Sequence, residues 1–145
     1  MVCFSIVFEN EDYSEFEKFI QKFKDEADVA RDLNVILSYI QHMVEGAGFL
    51  ERYFRPEGKY SDNVCALPVV SGKLRLYCLR LSDGVLIAGG GGRKATRTYQ
   101  EDENLAGYVI SLQKLDNLIQ AEIKKGKITI EKTVLPDLDN KTFNL

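Results

Sequence analysis

The residues best equipped for chemistry lie between Lys73 and Tyr99. Here Lys73, Arg75, Arg80, Arg93, Lys94 and Arg97 stand with Tyr77, Tyr99 and four successive glycines, Gly89 to Gly92. Cations beside a permissive backbone suit anionic groups, because guanidinium and ammonium donors neutralise oxygens and glycine lets successive N–H groups converge on them. The spacing excludes a nucleotide phosphate loop. That loop needs a Lys-Ser/Thr pair directly after its last glycine, whereas Gly92 is followed by Arg93-Lys94-Ala95-Thr96, and no GxGxxG unit opens a βαβ element. The other reading of the glycines is steric: a bulged strand end packed closely against a neighbour.

The formal net charge of −3 conceals an uneven distribution. Residues 1–51 hold four Lys/Arg against eleven Asp/Glu, residues 52–97 hold nine against three, and residues 98–145 hold six against eight. The blocks carry −7, +6 and −2, so a basic face is expected from the middle third. The competing reading is that the acidic helices pack beside this block and neutralise it within one molecule.

Other residue types narrow the chemistry. A single histidine, His42, excludes histidine-rich zinc sites and paired-histidine ribonuclease chemistry, and it reads as a surface or packing residue. Cys3, Cys65 and Cys78 make an odd number without CxxC spacing and read as small buried hydrophobes in a reducing compartment. The amino terminus lacks the basic and apolar regions of a secretory signal, and no apolar run approaches the ~18 residues of a membrane span, so a cytoplasmic location is expected.

The elements that must position the basic stretch can be read in order. Val2–Phe8 reads as a strand. Ser14 with Glu17 has the capping-box form and precedes Phe16, Phe19, Ile20 and Phe23 at helical spacing. Asp28 is expected to cap a second helix carrying Leu33, Ile36, Leu37, Ile40, Met43 and Val44, stopped by Gly46 and Gly48 and paired with the first as a helical hairpin. Residues 49–62 read as a loop.

Asn63–Val70 can form a strand in which Pro68 favours an edge or a bulge. Lys73–Leu81 alternates, with Lys73, Arg75 and Tyr77 on an outer face and Leu74, Leu76 and Cys78 inside. Ser82-Asp83-Gly84 signals a hairpin into Val85–Ala88. A third helix follows on Leu105, Val109, Leu112, Leu115, Ile119 and Ile123, stopping near Gly126, with Gly107 inside it. Lys127–Leu135 alternates as a further strand. The whole reads as one α+β domain over residues 1–135, with a loose tail at 136–145.

This order, and in particular the segment GKLRLYCLRLSDGVLIAGGGGRKATRTYQEDENL from Gly72 to Leu105, resembles the RelE/HigB-type toxins of toxin–antitoxin systems, including their phage-derived HigB-like relatives. The resemblance implies a RelE-like fold: an N-terminal strand and helical hairpin, then a small antiparallel sheet and a C-terminal helix. It implies endoribonucleolytic cleavage of mRNA, usually on the ribosome, by attack of a 2′-hydroxyl on the adjacent phosphate, with no metal or other cofactor and with a cognate antitoxin as protein partner. Carried over by position, Arg75 and Arg93 would stabilise phosphate charge and Tyr99 would transfer a proton or stack on a base. Lys73, Arg80, Lys94 and Arg97 would hold the RNA.

A tyrosine with an ordinary pKa near ~10 serves as a base only where nearby cations favour phenolate. The alternative for Tyr99 is packing at the start of the third helix. For the chain as a whole, the alternatives are a noncatalytic protein- or RNA-binding module on the same fold, or plain nucleic-acid binding.

Overall fold

A computed structural model describes residues 2–56, 63–68, 72–93 and 103–126. Eight elements matter for the site: β1 (Val2–Ser5), α1 (Glu15–Phe23), α2 (Ala30–His42), β2 (Arg55–Pro56), β3 (Val64–Pro68), β4 (Leu74–Ser82), β5 (Val85–Arg93) and α3 (Glu103–Lys124). The five strands form one mixed sheet in the order β1-β5-β4-β3-β2, in which β1 runs parallel to β5 and the other pairs are antiparallel. The fold class is α+β, as the sequence implies. The expected strand at 127–135 and the tail lie outside the described residues.

Local signals explain most of the framework. The Ser14 hydroxyl accepts the Glu17 N–H at 3.1 Å and the Ser14 N–H donates to the Glu17 carboxylate at 3.2 Å, closing the capping box at the start of α1. Phe19 and Phe23 are then buried with their rings edge to face, centroids 5.4 Å apart. Asp83-Gly84 makes the two-residue turn between β4 and β5, with Ser82 opposite Val85.

The structure differs from the sequence reading in several details: β1 ends at Ser5 and not Phe8, and β5 continues through the glycines to Arg93. Asp28 does not cap α2, whose N-cap residue is Val29, because its carboxylate is engaged by Arg93. Helix α2 ends in a π-turn over Met43–Ala47, which leaves Val44 exposed; the turn closes on Gly48, whose φ of 85° suits glycine. Residues 49–56 are more than a loop. Phe49 and Phe54 enter the core, and β2 pairs with Ala66 and Cys65 of β3, stopping short of Pro68.

The sheet is covered on both faces. Leu74, Leu76, Cys78, Leu86 and Ala88 pack under α1 and α2, whereas Tyr77, Leu79, Val85 and Ile87 pack under Leu105, Val109, Leu112, Leu115 and Ile119 of α3. The face of β4 bearing Arg75 and Tyr77 is therefore not an outer face: both residues are buried, Arg75 at 2% exposure. The apolar stripe of α3 needs a partner, and this side of the sheet supplies it. Among the described residues, no helix is long and apolar enough to cross a membrane.

Three of the four glycines, Gly89, Gly90 and Gly92, turn toward α3 and let it settle there. Leu76 lies opposite Gly91 and Cys78 opposite Ala88, so Tyr77 faces two residues, Gly89 and Gly90, across a bulge in β5. A Cβ on Gly90 would stand 2.6 Å from the Tyr108 ring, and one on Gly91 only 2.1 Å from the backbone carbonyl oxygen of Arg75. The steric reading of the glycines thus holds for this run.

Gly107, in α3, is different: a methyl group there would meet no atom within 4 Å. Gly91→Ala is therefore expected to cost more than ~2 kcal/mol, since backbone must move. Gly107→Ala is expected to gain ~0.5–1 kcal/mol from helix propensity alone. Urea unfolding of the two variants measures both signs.

Candidate functional site

The end of the sheet where β4 begins and β5 finishes collects the cations. Arg93, the last residue of β5, lies opposite Leu74, the first of β4, and Lys73 immediately precedes it. Arg75 is opposite Gly92 on one side and Pro68 on the other. Strand alternation then separates the two arginines. Gly91 faces Phe19 and Gly92 faces Leu105, so Arg93 falls on the α1/α2 side, while Arg75 shares the α3 side with Tyr77.

Arg93 meets the connection between α1 and α2. Its guanidinium donates to the carboxylates of Glu26 and Asp28, including Nη2 to Asp28 Oδ1 at 3.1 Å, and its Cζ lies 5.8 Å from the centroid of the Phe23 ring. The Nζ of Lys73 is 4.0 Å from Asp28 Oδ2. Asp32, in the first turn of α2, accepts the backbone N–H groups of Lys73 at 2.5 Å and of Leu74 at 3.2 Å, fastening that turn to the start of β4. Both cations remain open to water, with side-chain exposures of 41% for Arg93 and 65% for Lys73.

Electrostatics follow the geometry. The hydrogen bonds from Arg93 hold the Asp28 carboxyl below the usual carboxylate range, and Asp28 with Glu26 raises the guanidinium further above its ordinary value. The thiols behave oppositely to reactive ones: burial pushes Cys3 up to about 11 and Cys78 well above its ordinary value. All three cysteines are free thiols.

The remaining candidates divide. Arg80 lies on the α1/α2 side of β4 toward the hairpin, about 16 Å along the strand from Arg75 at ~3.3 Å per residue. Its Nε donates to the Phe49 carbonyl at 2.6 Å and its guanidinium also engages Asp83, with Glu51 at 3.6 Å. Arg80 thus ties the 49–51 segment to the hairpin, away from Lys73 and Arg93. Lys94, Arg97 and Tyr99 lie outside the described residues. His42 is exposed on α2.

The residues that single-residue reasoning did not assign to the site are Glu26, Asp28 and Asp32. The −7 charge of residues 1–51 was the available signal, since an acidic block needs cations and the nearest surplus is the middle third. Asp116 was also missed. This buried carboxylate of α3 accepts the backbone N–H of Asn63 at 3.1 Å and its side-chain amide at 3.0 Å, holding the start of β3 against the helix.

The lowered Asp28 carboxyl fixes a sign. A carboxylate whose folded pKa lies below its unfolded value adds stability that is present above that unfolded value, 3.8, and is lost as pH falls through the folded one. Asp28→Asn should therefore flatten the loss of stability as pH falls below about 3.8 relative to the parent chain. Urea midpoints across that range check it, and added salt should shrink the difference because the pair is exposed. No family model, curated protein or solved structure matches this chain.

Proposed function

We propose that the chain is the toxin component of a type II toxin–antitoxin pair: a cytoplasmic, metal-independent mRNA endoribonuclease silenced by a cognate antitoxin. The observation that carries this reading is the meeting of Lys73 and Arg93 at one end of the sheet, from which the chain runs on into Lys94, Arg97 and Tyr99. Two cations from neighbouring strands, both reachable from solvent, suit one phosphate. The α+β order of strand, two helices, hairpin and C-terminal helix is the order the resemblance implies.

The reaction class sets what each residue must do. Attack of a ribose 2′-hydroxyl on the adjacent phosphate builds negative charge on the phosphorane oxygens and expels the 5′-oxygen of the next nucleotide. The 2′-hydroxyl must lose a proton and the leaving oxygen must gain one. Arg93 can grip two phosphate oxygens with its planar fork, and Lys73 adds a compact positive charge beside it. Arg75, buried on the other face, is not placed to contact the same phosphate directly. Tyr99 is assigned the proton transfer by the resemblance, helped by the cations of Lys94 and Arg97 next to it in sequence.

A second reading has its own observation. Arg93 is already engaged by two carboxylates and Arg75 is buried, which suits a noncatalytic binding module equally well in geometry. Primer extension on mRNA from cells induced for the chain separates the two. The toxin reading expects new 5′ ends and growth arrest, with cleavage reduced on the order of 10²-fold or more in Arg93→Ala/Tyr99→Phe. Harmless expression with intact mRNA, alongside stable capture of a protein partner, would establish the binding module instead.

A further inference from the structure

Arg93 and Lys73 reach solvent, but they do so with carboxylates beside them. Glu26 and Asp28 bind the guanidinium of Arg93 from the α1–α2 connection, and Asp28 also stands 4.0 Å from the Lys73 ammonium. A carboxylate offers a guanidinium two oxygens in the same fork geometry that a phosphate offers. The two acids therefore occupy the directions from which phosphate oxygens would approach these cations.

The arrangement is exposed at the acids and anchored behind them. Asp28 keeps 49% and Glu26 41% of side-chain surface in solvent, and exposed ion pairs are weak and screened by salt. A polyanion that brings several phosphates can displace such contacts. Asp32 and the Phe23 ring stay in place regardless. Asp32 is bonded to backbone N–H groups at the start of β4, and Phe23 is buried beneath the guanidinium. Displacement thus frees Arg93 without undocking α2.

We propose that the α1–α2 connection is an internal anionic competitor for this site: Glu26 and Asp28 stand where RNA phosphates bind, and RNA engages Lys73 and Arg93 only by displacing them. The inference rests on the reading of these two cations as RNA-phosphate ligands. It adds a regulation that the resemblance does not contain, because the chain's own acids set how tightly it holds RNA. It also gives the opposed charges of the first two thirds of the sequence a job beyond stability.

The test measures fluorescence anisotropy of a labelled single-stranded RNA of roughly a dozen nucleotides, 2′-O-methylated so that it cannot be cleaved. Five proteins are compared: the parent chain, Arg93→Ala alone, Glu26→Gln/Asp28→Asn, the same pair with Arg93→Ala, and Glu9→Gln/Glu45→Gln, which changes net charge equally at exposed positions that pair with neither Arg93 nor Lys73. The amide pair should bind about tenfold more tightly at low salt, the remote pair at most about twofold, and Arg93→Ala should erase the gain.

Equal gains from both pairs, or a gain that survives loss of Arg93, would overturn the competitor. So would an amide pair no tighter than the parent while Arg93→Ala weakens parent binding, and that result leaves the RNA reading standing. Absence of RNA binding by every protein removes both. Because acid substitutions can disturb folding, the parent chain is also followed by backbone amide NMR. The Glu26 and Asp28 signals should move together as RNA is added, and unchanged signals under saturating RNA would overturn the competitor independently.

Discussion

The close approach of β5 to β4 through glycine is the constraint on which the rest of the molecule depends. Gly91 has no room for a side chain because the Arg75 carbonyl oxygen occupies the position of its Cβ, and Gly89 and Gly90 both turn toward α3 because β5 carries one residue more than β4 across Tyr77. Without the bulge, Gly90 would point away from the Tyr108 ring. With it, α3 can lie against the sheet and the Tyr77 side of β4 becomes interior; a second irregularity, between Arg80 and Ser82, puts the extra residue on β4, so the two offset and Arg75 stands opposite Gly92 and Arg93 opposite Leu74 in the register of the Ser82–Val85 turn.

Burial of both faces leaves the ends of the strands as the places where charge from the sheet reaches water. Arg93 does so because it terminates β5, and Lys73 because it precedes β4. The α1–α2 connection arrives at the same end because α1 packs under β5 through Phe19 and Phe23, whose spacing of four residues delivers Glu26 and Asp28 just past the helix. Charge pairing is thus a consequence of apolar packing. The exposed ion pairs are too weak to have directed that packing themselves.

Much of this was legible in the sequence where a short-range rule decides the outcome. The Ser14/Glu17 box, the Asp83-Gly84 turn, the Phe19/Phe23 stripe and the α3 stripe each specify structure within a few residues. What was illegible depends on distant partners. Alternation along KLRLYCLRL distinguishes two faces of β4 but cannot say that both are covered, since a strand buried on both sides and one bearing Arg75 outward share the same pattern. Asp28 is a sound cap by residue type, yet a guanidinium sixty-five positions away takes it instead. Pro68 fits its strand because β2 ends at Cys65 and Ala66, a neighbour too short to be read from Arg55-Pro56 alone.

The separation of Arg75 from Arg93 bears on how any phosphate chemistry here must be divided. Two arginines on one face could clamp a single phosphate; two on opposite faces of a sheet cannot, and Gly92 between them supplies no side chain to bridge the gap. In the proposed reading, a phosphate at this end is gripped by Lys73 and Arg93, whose side chains converge on Asp28, while Arg75 lies buried on the other face. The exposed pair must first shed its carboxylates before it can take a phosphate. The exposed pair then governs binding, so the acids of the α1–α2 connection act on affinity while the buried side of β4 stays as it is.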